Sequence, residues 1–339
     1  MLTALYYPHV KMSTDLLKNA LFLWDKIEYI APNLHFEPDY HEPELAQAVS
    51  LFAGKYIPTD KEKQMVNDSI VDLLSQPLPE WFFVKVEDLH KDLRYTLYPE
   101  KLAPDTWRRL EKEGLANSIN SKGFETSQQL GLTIMSILAN CCAGTQKRLV
   151  TDQVSSYSAL DRYLVTIGGG ELGDFGKKSE NSETLVTISL HLMNFKNVSL
   201  SRLIELRQKE NTTNGAHIRV LRLNYLRKIE EYVNKLSQIK TPQDAEEIRR
   251  IFEREMKDDF NLLKDELKDE AQKVVFSSEM ATAAISLVGS FLLPIISPTV
   301  LLAGGALYKR KVDYNTNRNK ILREHPMSWL YSMNKIQAI

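Results

Sequence analysis

Cysteine is scarce in this 339-residue chain, where Cys141 and Cys142 are the only two. Adjacent cysteines do not readily reach disulfide geometry, so no disulfide framework is expected and a reduced cytosol suits the pair. Two cysteines also fall short of a Cys-rich zinc pattern, and the seven histidines show no HxxxH or HExxH spacing. No metal or other cofactor is expected. A surplus of charge is missing too: 43 Lys and Arg stand against 44 Asp and Glu, and the net charge of −1 supports no nucleic-acid partner. The opening Met1–Pro8 lacks the basic and apolar regions of a secretory signal, which places the protein in the cytoplasm. GxSxG, a Walker loop and a persuasively spaced Cys/His pair are absent as well.

What is present is ordinary globular material, 43% hydrophobic and 26% charged, long enough for one large or two ordinary domains. Leu2–Tyr7 is β-prone and stops at Pro8. Ser13 or Thr14 then caps a helix bearing Leu16, Leu17, Ala20, Leu21 and Trp24 on one face, and Lys26–Ala31 alternates like a strand. Strand, short helix and strand in this order make a βαβ unit, whose crossover implies a parallel pair. Helices follow at Glu44–Ala53 and Asp60–Ser75, a strand at Trp81–Val86, and helices at Thr106–Glu113 and Ser127–Ala143. Leu149–Asp152, Tyr163–Ile167 and Leu185–Leu192 read as further strands. Beyond residue 197 the pattern turns wholly helical: Ser199–Lys209, Ala216–Leu236, and a long helix that Thr241, Pro242 and Asp244 start together. The expected fold is α+β to α/β. A small, mainly parallel sheet with helices (1–197) precedes a long antiparallel helical hairpin (198–278) and a C-terminal apolar helical hairpin with a tail (279–339).

Between Glu279 and Lys309 lie 29 positions without a charge. Ile285, Leu287, Phe291, Leu292, Leu293, Ile296, Leu301 and Leu302 are the residues expected to contact a membrane or a partner. Mean hydropathy over Ile285–Ala303 is about +2, in the range of membrane helices. Pro294 and Pro298 interrupt the run, and Lys309, Arg310 and Lys311 keep its end cytoplasmic, so the segment must turn back on itself. Two arms of roughly 11 to 14 residues are too short to span a bilayer, which leaves re-entrant or interfacial insertion at the inner membrane, burial as a core hairpin, or self-association.

Ligands of parallel α/β sheets bind at the carboxyl ends of the strands. That rule selects His9, Asn33 with His35, and Asp152, and makes His9, His35 and Asp152 the candidate catalytic residues of a hydrolase or nuclease. Asn, Asp and His are also common turn residues for backbone reasons alone. Gly168, Gly170 and Gly173 spell GxGxxG, but a loop composition follows where the dinucleotide fingerprint needs a helix. Asp174-Phe175-Gly176 stands without any other kinase element. The basic residues Arg202, Arg207, Arg219, Arg222, Arg227 and Lys228 are interleaved with Glu205, Glu210, Glu230 and Glu231, as on a salt-bridged face.

Ala4-Leu5-Tyr6-Tyr7-Pro8-His9-Val10, followed by Ala20-Leu21-Phe22-Leu23-Trp24-Asp25-Lys26-Ile27, resembles the opening of a bacterial family of unknown function. Val198–Arg207 and His325–Tyr331 extend the resemblance to the middle and the end of the chain. It implies a bacterial cytoplasmic origin, with phage-defence loci as one setting, and brings no catalytic residues with it. Three functional readings remain open: an effector or adaptor that meets a membrane, an enzyme with its site at the strand ends, and a scaffold that binds a partner protein through its long helices.

Overall fold

The computed structural model describes residues 3–75, 80–119, 123–144, 147–153, 198–212, 216–239, 241–276 and 316–337, with Ser156 and Leu185. The GxGxxG loop, Tyr163–Ile167, most of Leu185–Leu192 and the apolar run 279–309 lie outside the described residues. Two compact units divide the chain, Met1–Asn181 and Ser182–Ile339.

The first unit opens with β1 (Thr3–Tyr7), α1 (Thr14–Leu23) and β2 (Lys26–Ile30). Ser13 Oγ accepts from the Leu16 N–H at 3.3 Å and starts α1. Strands β1 and β2 are parallel, with Tyr6 opposite Tyr29, as the βαβ reading expects. Helix α2 (Pro43–Phe52) runs directly into β3 (Ala53–Tyr56), which pairs parallel to β2. The capping box of Thr59 and Glu62 begins α3 (Asp60–Leu74). Strand β4 (Arg94–Leu97), helix α4 (Pro104–Lys112), β5 (Ala116–Ser118), β6 (Phe124–Ser127), helix α5 (Gln128–Ala143) and β7 (Arg148–Thr151) follow.

Strand order in the parallel sheet is β3-β2-β1-β7, so the winding reverses between β1 and β7. Ala4, Leu5, Tyr6 and Tyr7 of β1 are all buried, as a strand covered on both faces requires. Leu5, Tyr7 and Ile30 share a core with Ile70 of α3, Trp107 of α4, and Ile134 and Leu138 of α5. A second, antiparallel sheet has the order β4-β6-β5. Ser127 ends β6 and also caps α5 through the Leu130 N–H at 3.2 Å, so strand and helix are joined without a loop. Phe124 of β6 stacks on Trp107 at 4.1 Å between centroids.

Trp81–Val86, expected as a strand, instead forms 3₁₀ turns at Glu80–Phe83 and Val86–Asp88. The Asp88 and Leu89 N–H groups donate back to the Lys85 and Val86 carbonyls at 3.1 and 3.2 Å, so the backbone closes on itself here and pairs with no neighbouring strand among the described residues.

The second unit contains α6 (Leu200–Glu210), α7 (Ala216–Ser237), α8 (Pro242–Phe276), helical residues 316–324 and α9 (Ser328–Gln337). Thr241 Oγ1 accepts from the Asp244 N–H at 3.2 Å, which realises the start of α8 read from sequence. Tyr232 of α7 meets Phe252 of α8 edge-on at 5.0 Å, and Lys228 pairs with Glu255 at 3.1 Å. Glu210 is buried between Arg207 and Arg222 and pairs with both guanidinium groups, that of Arg222 at 3.1 Å. His325 places Nδ1 2.8 Å from Asp259 Oδ1 and Nε2 3.2 Å from Glu266 Oε2, tying the C-terminal segment to α8. Among the described residues no helix is long and apolar enough to cross a membrane.

Candidate functional site

The reversal between β1 and β7 leaves a crevice beyond their carboxyl ends, the place where open α/β sheets receive ligands. Tyr6 pairs with Val150, so Asp152, two residues farther on, continues on the same face of the pleat. The Tyr6 hydroxyl lies 2.9 Å from Asp152 Oδ2 and 3.2 Å from the Lys11 carbonyl oxygen. This donor holds the exposed Asp152 carboxylate and the loop after β1 in one arrangement.

His9, half-buried, follows Pro8 on that loop. Tyr95 of β4 stands over it, with its hydroxyl 3.5 Å from His9 Nδ1 and the ring centroids 5.9 Å apart. The antiparallel sheet therefore supplies the second wall of the site. Gly131 makes this approach possible: a Cβ there would lie 2.4 Å from Tyr95 Cδ1 and 2.9 Å from Thr126 Oγ1. A cleft of about 310 Å³ opens between the walls, lined by Pro8–Lys11 from the first and by Tyr95–Tyr98 and Lys101 from the second.

Lys101 is the unusual member. It closes the 3₁₀ turn Pro99–Lys101 and is only 2% exposed. Its Nζ lies 4.0 Å from Met135 Sδ and 5.8 Å from the Tyr98 ring centroid. Among the described residues it has no carboxylate partner, although a buried ammonium ordinarily requires one. Burial accordingly pushes the Lys101 amine down to about 7. Burial also pushes the His9 imidazole below its ordinary value, with Asp152 opposing and Lys101 adding to the shift. The Tyr95 and Tyr6 hydroxyls are pushed up, by burial first and then by the Asp152 charge. At neutral pH the site thus holds a neutral imidazole, two protonated phenols, and an amine near its titration point.

The structure brings His9 and Asp152 to adjacent strand ends and sets His35 apart. His35 is exposed on the turn after β2, where its N–H donates to Asn33 Oδ1 at 3.0 Å, the backbone role open to such turn residues. Tyr6, Tyr95 and Lys101 were not legible as site residues. Only the Tyr-Tyr-Pro strand end drew attention to Tyr6, and nothing in Tyr98-Pro99-Glu100-Lys101-Leu102 announces a buried amine. The expected membrane or partner contacts, from Ile285 to Leu302, lie outside the described residues. Among the described residues no group of three or more His, Cys, Asp and Glu is placed to hold a metal ion. Comparison with protein-family models, curated proteins and solved structures finds no match to this chain.

Proposed function

We propose that the first unit is a small-molecule module whose cleft takes an anionic ligand and performs general acid–base chemistry on it. One observation carries this reading: among the described residues, Lys101 is buried in the lining without a carboxylate partner, in a cleft lined by Lys11 and His9 and by no acidic side chain. An anion supplies the missing countercharge. His9, neutral and beneath the Tyr95 hydroxyl, is the proton acceptor, and Asp152 tunes it from the adjacent strand end. Thermal-shift titration with small carboxylates and phosphates tests the reading. Stabilisation of the native protein, lost in Lys101→Met and His9→Gln, supports it; the absence of stabilisation by every anion sinks it.

The uncharged run between Glu279 and Lys309 favours a second reading of the whole chain as an effector or adaptor. In it the cleft senses a ligand, α7 and α8 form an antiparallel stalk, and the apolar hairpin meets the inner membrane or a partner protein. Flotation with liposomes, comparing the full chain with a variant lacking 281–308, decides it. Flotation of the full chain alone supports membrane docking, and flotation of neither removes it.

A further inference from the structure

We propose that Lys101 is a nucleophile that forms an imine with a carbonyl-bearing carboxylate, the simplest class being a short 2-oxo acid. This rests on the anionic-cleft reading and names the substrate class for the same site.

Three features converge on it. First, the Lys101 side chain belongs to the cleft lining and is buried beside Met135 Sδ with no carboxylate among the described residues to hold it as an ammonium, so the uncharged amine is well populated near neutral pH. Second, groups that can move protons stand in the same lining: His9 and the Tyr95 hydroxyl, 3.5 Å apart. Third, Lys11 is exposed at the mouth of the cleft and can meet a carboxylate there, which turns the carbonyl end of the ligand inward. A cleft of about 310 Å³ is at the small end of ligand sites and suits an acid of a few carbons.

The chemistry balances without an oxidant or reductant. The Lys101 nitrogen lone pair adds to the carbonyl carbon, and the C=O electron pair moves to oxygen. Neutral His9 accepts the proton shed by nitrogen and delivers it to that oxygen, giving a carbinolamine. A second proton, relayed from solvent through the same imidazole, leaves with the hydroxyl as water while the nitrogen lone pair closes the C=N bond. The proton still on the nitrogen then returns through the imidazole to solvent, so that amine and carbonyl become imine and water.

The test incubates the full-length native protein with glyoxylate and cyanoborohydride at pH 7 and maps the reduced adducts by peptide mass spectrometry. Glycolate, which lacks the carbonyl, serves as the competitor, and its binding is followed separately by ligand-observed NMR. An amine that titrates near 7 has roughly a thousandfold larger uncharged fraction at that pH than an ordinary lysine. With access discounted, Lys101 is expected to label at least about tenfold faster than any exposed lysine, and glycolate to suppress that labelling alone. Labelling of Lys101 no faster than surface lysines overturns the imine. If glycolate still binds in that case, the anionic cleft survives without it; if glycolate does not bind either, both readings fall.

Discussion

The Tyr6 hydroxyl donates to Asp152 Oδ2 across 2.9 Å and 146 positions of sequence, fastening the loop after β1 to the end of β7. It fixes the distance at which the Asp152 charge acts on His9. Two substitutions should therefore move the His9 imidazole in opposite directions. Asp152→Asn removes the charge that raises it and should lower its titration midpoint further; Lys101→Met removes a charge that lowers it and should raise the midpoint. NMR titration of the imidazole protons reads both, and shifts of the same sign would contradict the geometry.

Lys101 also leaves a mark on stability. Its amine titrates near 7 in the folded chain and near 10.4 in an unfolded one, so between these values the unfolded state binds more protons. Native stability should therefore rise with pH across about 7 to 10 and lose that contribution below 7. Lys101→Met should flatten the rise and stabilise the protein at pH 6 by on the order of several kcal/mol. Chemical denaturation at pH 6 and pH 9 measures it; equal slopes in both proteins would mean that the amine is not buried as a free base.

His325 works with the opposite sign. Burial pushes its imidazole down, but hydrogen bonds to Asp259 and Glu266 outweigh this and hold it above its ordinary value. The clamp therefore contributes fully below about 6.5 and is lost as pH rises through the elevated value. His325→Gln should cost more at pH 6 than at pH 9, on the order of 1–3 kcal/mol at the lower pH. Hydrogen exchange at Ser328–Tyr331 gives a local readout, and protection independent of pH in the native protein would exclude the clamp.

Gly131→Ala should disturb the site without touching any charged group. The added methyl meets the Tyr95 ring at 2.4 Å, so the ring must move away from α5 and its hydroxyl from His9. A loss of about 1–3 kcal/mol is expected from the overpacking, together with weaker anion stabilisation. A crystal structure of the variant with Tyr95 in place would refute the proposed role of the glycine.

The parallel β1–β2 pair was legible because each of its strands ends at a proline and a capped amphipathic helix lies between them. Helix α8 was legible because three signals agree at Thr241, Pro242 and Asp244. Strand β3 was not, since Ala53-Gly54-Lys55-Tyr56 has no β-branched residue and follows α2 with no turn between them. The antiparallel sheet escaped notice for a related reason: Ala116-Asn117-Ser118 and Phe124-Glu125-Thr126-Ser127 are short and mostly polar, and only pairing across the sheet makes them strands. At the site, His9 and Asp152 follow from the general rule for strand ends. Lys101 does not, because its burial comes from Met135 on a helix that begins 27 positions later.

Asp259 accepts from the Met327 N–H at 2.9 Å while also holding His325. Met327 immediately precedes α9, and its own side chain has no acceptor with which to begin a helix. The start signal of α9 is thus written in α8, some 68 positions earlier. A peptide of the last residues alone should stay unstructured, since a short helix without a cap does not nucleate in water. The final helix is an appendage whose existence is conditional: it forms where α8 is already in place, and it reports in turn on whether α8 has formed.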